Sequence, residues 1–395
     1  MFPFRFFRGA LALALLFHSS AWGAGDAELA EIRAQIRDLK TSYEMRVQAL
    51  EQRLADAEAR AAIPAAAPSP AAAAGSSLAA FNPAISAVLN GSYANASKGG
   101  GARRRGFSLD ESEVVLSANV DPRFAGTFIA SFGGDNTVSV EEAYGQWLTA
   151  PYGLAPKFGR FFSGIGYQNE QHAHAWDFTD APLAYQAFLG GQYAQDGVQV
   201  KWLAPIDHFL ELGVEAGNGD NFPGSVRDRN GAGAGAVFAH AGGDIGASNS
   251  WRAGISHLRT RSDNPQGAGA SRISIADFVW KYAPNGNARD TSFKLQGEYF
   301  QGRLRDAASR RGWYLQAVYQ FMPLWRIGAR LDRLDAEAES GFMPQRQSVM
   351  LDYSPSEFSR FRLQYARSKL LPDITDNQWV LQYILSLGAH GAHKY

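Results

Sequence analysis

From Phe81 to the end of the chain, apolar and polar residues alternate in stretches of about ten, separated by Gly, Pro, Asn and Asp. Period-two alternation places one set of side chains on each face of a strand. The last stretch shows it well: Trp379, Leu381, Tyr383, Leu385 and Leu387 form one row. Trp313, Leu315, Ala317, Tyr319 and Phe321 form a second row, opposite Gln316 and Gln320. After the break at Met322-Pro323, Trp325, Ile327, Ala329 and Leu331 stand opposite Arg326, Arg330 and Asp332. Phe361, Leu363 and Tyr365 likewise stand opposite Arg360, Arg362 and Gln364. Stretches of this kind centre near Ala87, Val115, Phe128, Tyr144, Phe158, Val200, Leu212, Val237, Ile255, Phe278, Leu295, Leu315, Ile327, Met350, Leu363 and Tyr383. These sixteen centres make an even number, as a closed bacterial barrel requires. Two stretches are weak: the one near Val237 is rich in Gly and Ala, and the one near Phe278 has aromatics on the unexpected face. Short connections alternate with longer polar ones, the pattern of periplasmic turns and outer loops.

The residues before Phe81 follow other patterns. Residues 1–23 read as a secretory signal, with Arg5 and Arg8 ahead of the apolar stretch Ala10 to Phe17 and a small-x-small site at Ala21-Trp22-Gly23. Within residues 24–62, Leu29, Ile32, Ile36, Leu39 and Tyr43 step by three and four, and Val47, Leu50, Leu54 and Ala57 resume after a stutter. This predicts a short periplasmic α-helical coiled coil that associates with copies of itself. Residues 63–80 are an Ala/Pro/Ser linker. The expected architecture is an all-β transmembrane barrel of about sixteen antiparallel strands over residues 81–395, preceded by that coiled coil.

Composition agrees. Hydrophobic residues reach 46% and aromatics 12%, yet mean hydropathy is −0.25, as expected where only every second residue meets lipid. With 38 basic and 38 acidic residues, no nucleic-acid partner is expected. The absence of cysteine removes disulfides, thiolate metal sites and Cys nucleophiles. No Gly-x-Ser-x-Gly or His-Glu-x-x-His pattern occurs, so the chain is not expected to be an enzyme. An outer-membrane enzyme with scattered catalytic residues stays open as a remote alternative. A TonB-type receptor is another, although it would need a plug domain and about 22 strands.

Phe107 to Phe132, with Asn119-Val120-Asp121-Pro122-Arg123 between two strands, resembles the phosphate-selective porin O and P family. Pro156-Lys157-Phe158-Gly159-Arg160-Phe161 is similar to the strand in that family that leads into a long internal loop. The resemblance, which runs loosely over residues 81–395, implies a homotrimeric, water-filled channel in the Gram-negative outer membrane. It would contact membrane lipid and pass small hydrophilic solutes or ions.

Residues 163–197 are then the expected inward loop, with Glu170, His172, His174, Asp177 and Asp180 forming the pore constriction. Lys294, Arg326, Arg330, Arg360 and Arg362 are expected to line the pore wall. The family's phosphate-selective members place basic residues on this path, yet no Lys or Arg occurs between Arg160 and Lys201. Carboxylates near a constriction favour cations, so a weak cation preference is expected. No resident cofactor is implied. A transient divalent cation at His172, His174 and Asp177 is the alternative, because residues two apart in an extended segment point the same way. That alternative would make the chain a zinc-type uptake channel.

Overall fold

The computed structural model describes residues 83–98, 105–223, 225, 231–262, 269–305, 308–336 and 341–388. The expected signal peptide, coiled coil and linker lie outside the described residues.

Strands form wherever the alternation is present. They are β1 (Ala84–Ala96), β2 (Gly106–Leu109), β3 (Ser112–Asn119), β4 (Phe124–Phe132), β5 (Val138–Trp147) and β6 (Leu154–Phe162). Next come β7 (Ala194–Leu203), β8 (Phe209–Gly217), β9 (Ala234–Ile245), β10 (Asn249–Ser262) and β11 (Gly269–Tyr282). The remainder are β12 (Ser292–Arg303), β13 (Arg310–Met322), β14 (Trp325–Leu334), β15 (Gln345–Ser356), β16 (Ser359–Leu371) and β17 (Ile374–Gly388). Each of the sixteen expected centres falls inside one of these strands.

β2 and β3 are two halves of one wall strand. β1 pairs with both, Gly91 opposite Leu109 and Val88 opposite Glu113. Across the break, the Asp110 amide donates to the Asn90 carbonyl at 2.8 Å. Every neighbouring pair is antiparallel, and the first strand pairs with the last from Ser86–Gly388 to Ala96–Gln378. The result is a closed barrel of sixteen wall strands, with no open edge to template association. Among the described residues, no helix is long and apolar enough to cross a membrane.

The outer face is the apolar one. Leu315, Tyr319, Ile327, Leu331, Leu363, Trp379 and Leu381 all stand exposed on it. Aromatic pairs stand on it as well, at Trp325–Tyr353 beside the turn between β13 and β14 and at Tyr365–Trp379 further along the wall. Two-residue turns such as Pro323-Leu324 and Glu357-Phe358 lie at one rim, and the long connection between β6 and β7 lies at the other.

The longest connection, residues 163–193, folds into the lumen. It carries a 3-10 turn (Ala173–Ala175) and a short helix, α1 (Leu183–Leu189). α1 and its flanks form an apolar core against the inner wall, where Ile165, Tyr185, Phe188 and Leu189 meet Phe238, Leu258, Ile273, Ile275 and Phe300. Small residues make room for it: a Cβ at Gly164 or Gly213 would collide with the Phe238 ring. The loop is shorter than the expected 163–197, because β7 begins at Ala194. Asp196 is therefore a wall residue, bonded to Arg160 at 2.6 and 2.8 Å.

Candidate functional site: the loop across the lumen

Residues 163–193 are held on all sides by the wall. At the loop's start, Ser163 Oγ and the Gly164 amide donate to Glu215 at 2.6 and 2.8 Å. Glu298 is the next anchor, accepting from the Gln168 amide at 3.0 Å, Tyr185 Oη at 2.8 Å and Tyr314 Oη at 2.6 Å. On the far side, the Thr179 amide donates to Gln364 at 2.8 Å and the Leu183 amide to Asp332 at 2.9 Å. Burial pushes the Tyr167 phenol up to about 12.

The expected constriction carboxylates all meet wall cations. Glu170 pairs with Lys201 at 2.6 Å. Asp177 is bound by Lys294 and lies 3.4 Å from Arg326 Nη1. Burial acts to raise its carboxyl, but Lys294 and Arg326 together hold it well below the usual carboxylate range. Asp180 is bound by Arg330 at 3.0 Å and by Arg346. Three of the five expected wall residues thus hold the loop, Lys294 and Arg326 at Asp177 and Arg330 at Asp180, while Arg362 is bound to Asp352 at 2.8 Å beside Arg326. Arg360 stands 4.0 Å from Asp352.

The histidines go elsewhere. The 3-10 turn stacks the His172 and His174 rings 5.7 Å apart, where the sequence predicts an extended segment. They face β3 and β5. His172 Nδ1 lies 3.1 Å from Glu141 Oε2 and 3.4 Å from Glu113 Oε2, and its Nε2 lies 3.2 Å from Glu142 Oε2. His174 Nδ1 lies 2.7 Å from Glu113 Oε1. Burial pulls the His172 imidazolium down, but the bonds to Glu141 and Glu142 outweigh it and hold the group well above its usual range. The group whose donor atoms converge is Glu113, Glu141 and His172. Asp177, expected beside the histidines, is engaged by Lys294 and Arg326 instead.

A β-bulge explains how two adjacent glutamates reach one imidazole. In a regular strand Glu141 and Glu142 would point to opposite faces. Here Ile129 pairs with Glu142 and Ala130 with Val140, so Glu141 is the extra residue. Bulges re-aim side chains in this way. Both carboxylates consequently face the loop.

An uncharacterized protein of Aquifex aeolicus (strain VF5) is 30% identical over 339 residues, covering 74% of this chain and 71% of that protein. The chain belongs to the family of that Aquifex protein. No protein-family model matches it. Among solved structures, the trimer form of OmpT of Vibrio cholerae matches with a TM-score of 0.54 at 12% identity, covering 78% of this chain and 99% of that one. An anion-selective porin from Comamonas acidovorans matches with a TM-score of 0.56 at 9% identity, over 78% and 99%. Pseudomonas putida OprB matches with a TM-score of 0.53 at 15% identity, over 79% and 96%. At these identities the likeness shows the barrel fold. In this member of the Aquifex protein's family, sequence patterns do not single out the loop partners Glu113, Glu141, Glu142, Glu215, Glu298 and Arg346. Inward position on a strand is the signal that could find Glu298 and Arg346. The remaining histidines do not join the site: His240 bonds Glu211 at 3.0 Å, His257 bonds Ser274 at 3.0 Å and His208 is exposed in the connection between β7 and β8, while His18, His390 and His393 lie outside the described residues.

Proposed function

We propose that the chain is an outer-membrane porin passing small hydrophilic solutes, with residues 163–193 as its constriction and a preference for anions. The observation that carries this reading is the charge left on the wall once the loop is paired. Towards the short-turn rim, Lys201, Lys294 and Arg326 are taken up by Glu170, Glu211, Asp177 and Asp352, which leaves Lys157 and, 4.0 Å from Asp352, Arg360 on the inner face. Lys157 and Lys201 line one recess of about 250 Å³ with Gln146, Gln199 and Glu211. Lys157 stands 4.2 Å over the Tyr144 ring. Rings of basic side chains favour anions. The expected cation preference required carboxylates free to meet solute, whereas Glu170, Asp177 and Asp180 are each held by a wall cation. Selectivity for phosphate in particular would call for basic residues on the loop, and residues 161–200 contain neither Lys nor Arg. The Comamonas porin is anion-selective and the Vibrio protein has a trimer form. Both support the reading by analogy of fold, and we extend a trimer to this chain.

Single-channel recording in a KCl gradient tests it. The pore should conduct, its reversal potential should report chloride preferred over potassium, and Lys157→Gln with Arg360→Gln should move that potential towards cations. A silent protein ends the porin reading. A cation-preferring wild type ends only the charge assignment.

A further inference from the structure

We infer that Glu113, Glu141 and His172 form a binding site for a divalent ion of the zinc type, which clasps the internal loop to strands β3 and β5. Each residue offers one donor atom, and the three atoms lie within 4.8 Å of one another. In a tetrahedral zinc site with bonds near 2.1 Å, neighbouring donors stand about 3.4 Å apart. His172 Nδ1 stands 3.1 Å from Glu141 Oε2 and 3.4 Å from Glu113 Oε2, so the spacing already matches two edges of that polyhedron.

A second observation points to a ligand. The Glu113 side chain is 0% exposed, yet its Oε2 has no hydrogen-bond partner and faces His172 Nδ1. A buried carboxylate oxygen without a hydrogen bond is stabilised by a cation in direct contact, and an ion that displaces the His172 Nδ1 proton to solvent would meet Oε2 more closely than the imidazole does at 3.4 Å. The surrounding charge leans the same way. Three carboxylates, Glu113, Glu141 and Glu142, crowd two imidazoles.

The outer contacts are those a metal ligand needs. With Nδ1 on the ion, His172 Nε2 carries the proton and donates to Glu142 Oε2, 3.2 Å away. Carboxylates that hold a ligating histidine in this way fix its tautomer and its orientation. His174 Nδ1 donates to Glu113 Oε1 at 2.7 Å, leaving Oε2 for the ion. One imidazole with carboxylates suits Zn²⁺ and similar borderline ions better than Ca²⁺ or Mg²⁺, which take all-oxygen sets. Because His172 belongs to the loop and the glutamates to the wall, the ion would be a crosslink within the lumen. The inference does not rest on the porin reading, since binding is measured on the isolated chain without conduction.

The test uses the full chain, purified in detergent and stripped with chelator. Titration with ZnCl₂ should show one saturable site per chain, and Co²⁺ as a probe should give the intense visible bands of a tetrahedral site, bleached by added Zn²⁺. His172→Ala and Glu113→Gln should weaken binding about 100-fold or more, and Glu142→Gln about 10- to 100-fold. Asp177→Asn should bind as the wild type does. A wild-type chain with neither saturable Zn²⁺ uptake nor cobalt bands overturns the inference without recourse to any variant. So does wild-type binding in His172→Ala chains whose heat-modifiable migration shows a folded barrel, and so does loss of binding in Asp177→Asn.

Discussion

Asp177 lies in a loop without basic residues and still touches a lysine and an arginine, both supplied by the wall. Breaking a buried ion pair from one side costs about 3–5 kcal/mol, because the partner charge is stranded. Lys294 and Arg326 are each 23% exposed to the lumen, so Asp177→Ala should cost about 3 kcal/mol, the low end of that range. Thermal unfolding followed by gel mobility measures the loss. The pH dependence has a definite sign: a carboxyl held low in the folded state stabilises fully above its unfolded value, about pH 3.9. That contribution is lost only as pH falls below this towards the depressed native value, so the loop should stay anchored throughout the neutral range. Single residues are the least legible level of the sequence. His172, His174, Asp177 and Asp180 stand out because they share one segment. Glu113 and Glu141 are 59 and 31 positions away from His172, and a bulge that no alternation pattern reveals turns Glu141 inward.

Individual strands are legible because lipid enforces one rule along every outer row, and the two weak stretches show where a second rule intrudes. β11 turns Ile273, Ile275 and Val279 inward, since α1 covers that part of the wall and creates an apolar core inside the barrel. β9 is rich in Gly and Ala where Phe238 packs across from Gly164 and Gly213. In both strands the inner face answers to the loop, and the contrast between faces fades. The break at Asp110-Glu111 divides one wall strand into two shorter segments, too short for alternation to mark a centre in β2. Where lipid alone governs, depth should decide the cost of a charge. Leu315→Arg, at the middle of β13, should destabilise by about 2–4 kcal/mol, and Leu387→Arg, near the end of β17, by about 0–1 kcal/mol. Folding titrations into phospholipid vesicles compare the two directly, and equal costs would show that Leu315 does not face the hydrocarbon.

For the whole molecule, closure is the governing feature. β1 and β17 pair along eleven positions, from Ser86–Gly388 to Ala96–Gln378, and the two ends of the sheet meet along that seam. Removing residues 374–388 should abolish the heat-modifiable band altogether, because it exposes the edges of both β16 and β1 to a solvent that cannot pair them. A truncated chain that still migrates as a folded barrel would refute closure through this pair. The seam also bears on biogenesis. A helical membrane protein can deliver its spans to the bilayer one at a time as they leave the ribosome, but here the strand that completes the first strand's hydrogen bonding is synthesised after all the other wall strands. No partial product is a closed wall, so β1 keeps an unpaired edge until β17 has been made, and closure has to follow the synthesis of every wall strand.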